Sequence, residues 1–135
     1  MFATVKVTAA RERPVGTSAD DGECRVVCVN DREVARAQAA APNAETVQRV
    51  ADRFAALSDP TRLRILHALS NAELCVCDLA TVANRSMPAT SQQLKLLRNL
   101  GLVKFRADGK LAYYSLADEW VLATIRQALP RGPRP

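Results

Sequence analysis

Asp78-Leu79-Ala80-Thr81-Val82-Ala83-Asn84-Arg85-Ser86-Met87-Pro88-Ala89-Thr90-Ser91-Gln92-Gln93-Leu94-Lys95-Leu96-Leu97-Arg98-Asn99-Leu100-Gly101 decides the fold. It reads as a short helix ending near Ala83, a turn over Asn84-Arg85-Ser86, and a longer helix from about Pro88 to Leu100. Leu79 and Val82 are expected to face inward from the first helix, Leu94 and Leu97 from the second. Gly101 stops the second helix, because glycine adopts the left-handed conformation a helix end demands. Short helix, tight turn and longer helix make a helix-turn-helix.

Downstream the period changes from helical to alternating. Leu102-Val103-Lys104-Phe105-Arg106 and Leu111-Ala112-Tyr113-Tyr114-Ser115 read as two strands, and Asp108-Gly109 is a hairpin-turn signal. A last helix runs from about Ala117 to Leu129 on Val121, Leu122, Ile125 and Leu129. Upstream, Val47, Val50, Phe54 and Leu57 recur at helical spacing. Ser58-Asp59-Pro60 then ends one helix and begins another, with Asp59 as cap and Pro60 at the first position, where no N–H is needed. Leu63, Leu66 and Leu69 form the inner face of that helix. An Ala-rich helix over about Asp31 to Ala40 is broken by Pro42-Asn43. Residues 1–23 lack periodicity and read as a mobile, disordered tail, and residues 131–135 as a second tail. Residues 24–130 read as the folded domain. The expected fold class is mainly α with one β-hairpin, a winged helix-turn-helix.

Composition narrows the functions. The chain has 135 residues, 48% hydrophobic but only 4% aromatic, so its core rests on Leu, Val, Ile and Ala. Nineteen basic against fourteen acidic side chains leave a net charge of +5, which favours a polyanionic partner. No run reaches the roughly 18 apolar residues of a membrane span, and the N-terminus carries no secretory signal. A cytoplasmic location follows, where thiols stay reduced. Four cysteines there point to metal or redox chemistry rather than disulfides.

A helix-turn-helix presents the N-terminal part of its second helix to base edges in the major groove of double-stranded DNA. Thr90, Ser91 and Gln92 are the candidates for that position; Gln pairs with adenine edges, and Ser or Thr with either base type. Lys95 and Arg98, further along, suit phosphates. Lys104, Arg106 and Lys110 make the hairpin a basic wing.

The cysteines fall into two pairs. Cys75 and Cys77 would point about 200° apart on an ideal helix, so sharing an ion requires an irregular turn or a frayed helix start. A helix N-terminus also favours thiolate over thiol. Cys24 and Cys28 could converge on one helical face or in a flexible arm. Four soft ligands suit zinc, cadmium or lead better than magnesium or calcium. The single histidine, His67, is expected to be a surface or satisfied interior residue.

Glu73-Leu74-Cys75-Val76-Cys77-Asp78-Leu79 resembles the metal box of the ArsR/SmtB family of metal-sensing repressors. Leu57-Ser58-Asp59-Pro60-Thr61-Arg62-Leu63-Arg64-Ile65-Leu66, Leu94-Lys95-Leu96-Leu97-Arg98-Asn99-Leu100-Gly101-Leu102-Val103 and Gly109-Lys110-Leu111-Ala112-Tyr113-Tyr114-Ser115-Leu116 are similar to further family segments. Cys24-Arg25-Val26-Val27-Cys28 resembles the arm of the CadC subgroup, which responds to cadmium, lead and zinc. The resemblance implies a homodimer with Cys24, Cys28, Cys75 and Cys77 as metal ligands; whether an arm serves its own or the partner's site stays open. It implies a repressor that leaves operator DNA when Cd(II), Pb(II) or Zn(II) binds. A second family site on the last helix looks lost, since Asp118 fits its first position but Trp120 stands where a His is needed. Gln92-Gln93 replace the His-His of many relatives.

Two other functions would use the same cysteines: a thiol redox-switch repressor, and a metal buffer or chaperone, which would need no wing. No nucleophile–base pair or phosphate loop suggests an enzyme.

Overall fold

The computed structural model describes residues 18–130 and the backbone of Val5–Thr8. The chain divides into two units, residues 1–46 and 47–135.

In the first unit, β1 (Val5–Thr8) pairs antiparallel with β2 (Val27–Asn30), with Val7 opposite Cys28. This differs from the tail expected there. Val5-Lys6-Val7-Thr8 alternates, but four residues are too few to stand out in a sequence scan. Residues 18–23 hold a turn, Gly22 N–H bonding the Ala19 carbonyl at 2.9 Å. Arg25 closes it, donating to the Ser18 carbonyl at 2.9 Å and the Asp21 carboxylate at 2.7 Å. The remainder of both expected tails, including residues 131–135, lies outside the described residues. α1 (Asp31–Ala40) follows at once, the Asn30 side chain capping it at Glu33 N–H. No α1 residue is buried.

The second unit holds most of α2 (Ala44–Leu57), then α3 (Pro60–Leu69), β3 (Leu74–Cys75), α4 (Val76–Ala83), α5 (Met87–Asn99), β4 (Val103–Asp108), β5 (Leu111–Leu116) and α6 (Glu119–Ala128). This is the winged helix-turn-helix expected from the sequence. Asp59 caps α3 through a 3.0 Å bond from Arg62 N–H, with Pro60 in the first turn. The core gathers Ile65 and Leu66 of α3, Leu79 of α4, Leu94 and Leu97 of α5, Leu102, and Val121 and Ile125 of α6.

Two faces differ from expectation, and the periodic stripe of α2 is largely exposed. Val82 is exposed, and Ala80 and Ala83 are buried beside Leu79 instead. With the first helical residue at Val76, the inward stripe takes positions 79, 80 and 83. On α3, Ile65 is fully buried and Leu63 only partly. On α2, Leu57 is buried, but Val47, Val50 and Phe54 are 51%, 41% and 54% exposed.

The turn of the helix-turn-helix rests on Asn84, the one non-glycine among the described residues with positive φ, at 53°. Asn84 N–H bonds the Thr81 carbonyl and Arg85 N–H the Ala80 carbonyl, satisfying the last carbonyls of α4. Ser86 then caps α5, its hydroxyl accepting from Ala89 N–H at 3.2 Å. Gly101, with φ of 73°, closes α5 by the same pair of bonds, from its own N–H to Arg98 and from Leu102 to Leu97.

The sheet of this unit has the order β3-β5-β4. β4 and β5 pair from Val103 with Leu116 to Asp108 with Leu111. The turn residues are therefore Gly109 and Lys110, one position later than Asp108-Gly109. Gly109 carries φ of 59°, the place where a type II′ turn requires glycine. β3 was not expected. It pairs Leu74 with Tyr114 and Cys75 with Tyr113, fastening the segment before α4 to the wing.

Candidate nucleic-acid and metal sites

α5 presents Ser91, Gln92, Lys95 and Arg98 to solvent. Thr90 is a correction: it is fully buried, and its hydroxyl donates to the Ser86 carbonyl at 2.9 Å. Four residues after the cap, it faces the core with Leu94 and Leu97, and it has no surface to offer a base. Gln93 is half-buried and accepts from Arg62 at 3.2 Å. Arg62 also donates to the carbonyls of Ala56 at 2.7 Å and Ala55 at 3.2 Å, so one guanidinium joins α2, α3 and α5.

The wing sets its cations on a partly aromatic frame. Lys104 and Arg106 are exposed on β4, and Lys110 is exposed in the turn. The Arg98 guanidinium lies 5.1 Å from the centre of the Phe105 ring, linking α5 to the wing. Arg106 lies 4.8 Å from the centre of the Tyr113 ring. Such contacts orient a cation without neutralising it. Arg106 has a second partner: it donates twice to one Glu73 carboxylate oxygen, at 2.6 and 2.9 Å. That hydrogen bond holds the Glu73 carboxyl below its ordinary value and raises the Arg106 guanidinium above its own. Nothing in the sequence singles out Glu73 for this role, since pairing with Arg106 over 33 positions leaves no periodic trace.

All four cysteines are free. Cys28 lies in β2 and Cys24 in the irregular segment before it, both exposed, so the two do not share a helical face. Cys75 is buried, ends β3 in an extended conformation and stands as the N-cap of α4 without a side-chain capping bond. Cys77 sits exposed in the first turn of α4. The irregular backbone that chelation would need is thus present, since Cys75 is extended and Cys77 helical. Among the described residues, no three His, Cys, Asp or Glu side chains converge on one point. The donors are chemically right for a soft ion; Cys24 and Cys28 belong to the first unit of the chain, Cys75 and Cys77 to the second.

Asp118 and Trp120, at the start of the last helix, have structural uses. Asp118 caps α6 at Val121 N–H, 3.1 Å away, and forms an ion pair with Arg53. Trp120 packs edge-on against Phe54, ring centres 5.2 Å apart.

A helix-turn-helix whose second helix is flanked by a basic two-stranded wing defines the winged helix-turn-helix class. The family profile described as bacterial regulatory protein, arsR family, matches residues 59–104. The chain is 42% identical over 104 residues to a transcriptional repressor SmtB homolog of Synechocystis, covering 77% of this chain and 79% of that protein. It is 42% identical over 106 residues to a cadmium resistance transcriptional regulatory protein CadC homolog of Staphylococcus aureus, covering 78% and 87%. Its fold matches the homodimeric winged helix-turn-helix DNA-binding domain of a Mycobacterium bovis protein at a TM-score of 0.59, with 31% identity, covering 65% and 84%. The chain belongs to the ArsR family and is a transcriptional regulator, not an enzyme. Among the described residues no helix is long and apolar enough to cross a membrane.

Proposed function

We propose that the chain is a cytoplasmic, homodimeric, metal-responsive repressor that binds operator DNA in the apo state and releases it when a soft divalent ion binds its thiolates. The observation that carries this reading is the pairing of a metal box with a wing: Cys75 is held in register with Tyr113 of β5. A ligand that pulls on Cys75 acts on β5, the central strand of the sheet and one of the two strands of the wing. Similarity to CadC and SmtB homologs supports the metal-responsive part, and cadmium, lead and zinc are the inducers it suggests.

Ser91 and Gln92 would face bases, while Lys95, Arg98, Lys104, Arg106 and Lys110 would face phosphates. Cys75 and Cys77 would hold the ion with Cys24 and Cys28 of an arm. When bound, the metal supplies charge and fixed bond directions; the chain supplies deprotonated sulfur, and the thiol protons leave to solvent. Homodimerisation would cover the apolar stripe of Val47, Val50 and Phe54 on α2, with Trp120 of α6 beside it.

Promoter DNA binding by reduced protein, measured against Cd(II), Pb(II) and Zn(II), tests the reading. Cys75→Ser and Cys77→Ser are expected to keep apo DNA binding and lose metal-driven release. Release by metal in both variants would overturn the thiolate centre. Release by oxidant but by no metal would favour the redox switch.

A further inference from the structure

The geometry points to a second, soft-metal site inside one protomer: Cys77 and Met87 form a thiolate–thioether pair that takes Cu(I) across the turn of the helix-turn-helix. The inference rests on the metal-responsive reading for Cys77 as a ligand, and needs neither Cys75 nor the arm.

Cys77 lies in the first turn of α4, and Met87 is the first residue of α5. Ten positions apart, they are brought together because the α4–α5 turn doubles the chain back. The Cys77 thiol meets the Met87 thioether at an S···S distance of 4.0 Å. Two metal–sulfur bonds of about 2.3 Å meeting at about 120° span about 4.0 Å, so one ion fits between these sulfurs with little movement of either helix. Both residues are exposed, Met87 at 49%, so an ion reaches the pair from solvent.

The surroundings choose the ion. The two sulfurs line an open groove of about 700 Å³, whose other walls include Thr81, Asn84 and Arg85. The wall holds no carboxylate and no imidazole. Thioether is a poor ligand for hard ions and a good one for Cu(I). Charge points the same way. One thiolate neutralises a monovalent ion, whereas a divalent ion would keep a net positive charge beside the Arg85 guanidinium. On binding, Cys77 loses its proton to solvent as the sulfur–copper bond forms. The thioether donates a lone pair without a proton change, and copper stays Cu(I), so no electron is transferred. The bound ion would bridge the start of α4 to the start of α5 and fix the angle between them.

The test uses the full-length reduced protein under anaerobic conditions, titrated with Cu(I) against a competing chromogenic Cu(I) chelator and, separately, with Cd(II). Met87→Leu keeps the size and apolar character of an exposed residue, and its apo DNA binding serves as the folding control. Loss of a ligand is expected to weaken Cu(I) by at least about tenfold while Cd(II) affinity stays unchanged. Cys75→Ser is expected to retain the Cu(I) affinity and Cys77→Ser to lose it. Equal Cu(I) affinity in the wild type and Met87→Leu, or no Cu(I) binding at all, would overturn the site. Equal weakening of Cd(II) and Cu(I) by Met87→Leu would also overturn it, since the pair would then not be selective. A Cys75→Ser variant that loses its Cd(II) response but keeps Met87-dependent Cu(I) binding separates this site from the thiolate centre.

Discussion

Thr90 and Glu73 show how single side chains divide between holding the fold and meeting a ligand. Thr90 uses its hydroxyl on the Ser86 carbonyl and its methyl on the core. Thr90→Val is expected to lower unfolding stability by about 1 kcal/mol, the worth of one hydrogen bond, and to leave operator preference unchanged. Denaturant melts together with binding to a panel of operator variants would check both halves. Glu73 pairs with Arg106, whose guanidinium also lies 3.8 Å from the Asp108 carboxylate. Glu73→Gln is expected to strengthen apo DNA binding at low salt by releasing that charge, and a gel shift that shows no change would place Arg106 off the phosphate path. The pH dependence has a definite sign. Because the folded carboxyl sits below its ordinary value of 4.5, the tie is intact above that pH and is lost as pH falls through the folded value. Between pH 6 and pH 8 it is constant, so DNA affinity there should carry no signature of Glu73.

At the scale of elements, α4 and α5 depend on a residue in the left-handed conformation between them. Asn84→Gly is expected to be neutral or slightly stabilising, and Asn84→Val to cost about 1–2 kcal/mol, because a β-branched side chain crowds its own carbonyl there. Thermal melts of the two variants would decide it. The same turn shows what was legible in the sequence. Asn84-Arg85-Ser86, Asp59-Pro60 and Gly101 are local signals, read from the residues that form them, and each element they bound is where the sequence put it. Val82 differs because a short helix offers few turns over which to fix its phase, and Thr90 because its hydroxyl suggests solvent although its position lies four residues before Leu94 on the buried face of α5. β3 was invisible, since two residues have no period and their reason to be extended is a partner about 40 positions away. The cysteines were legible as candidates by type, but Met87 was not. Its meaning comes only from the turn that carries it to Cys77.

For the molecule as a whole, the proposed DNA face combines cations of α5 with those of the wing. Replacing Lys95 or Lys104 by Gln removes one phosphate contact per protomer and should lower the log–log salt slope by about two per dimer. A slope unchanged by either variant would remove that residue from the interface. The arm supplies a second test at this scale. Deleting residues through Cys28 is expected to leave a dimer that still binds DNA but responds less to metal. Equal release from the full-length and truncated chains at saturating metal would confine the switch to Cys75 and Cys77. Coupling between two ligands is reciprocal, so operator DNA should weaken metal binding by the factor with which metal weakens DNA binding.

The strand order β3-β5-β4 leaves β4 as an outer strand, its backbone groups open along one side. Such an edge invites another β-strand, and chains that pair this way grow into aggregates. Phe105 alone would encourage that stacking, being 47% exposed. Lys104 and Arg106 flank it and set like charges against any second copy that approaches in parallel. The cations proposed to grip phosphate therefore have a second consequence: they keep the free protein dispersed. In a protein free of DNA, they guard the edge of its own wing.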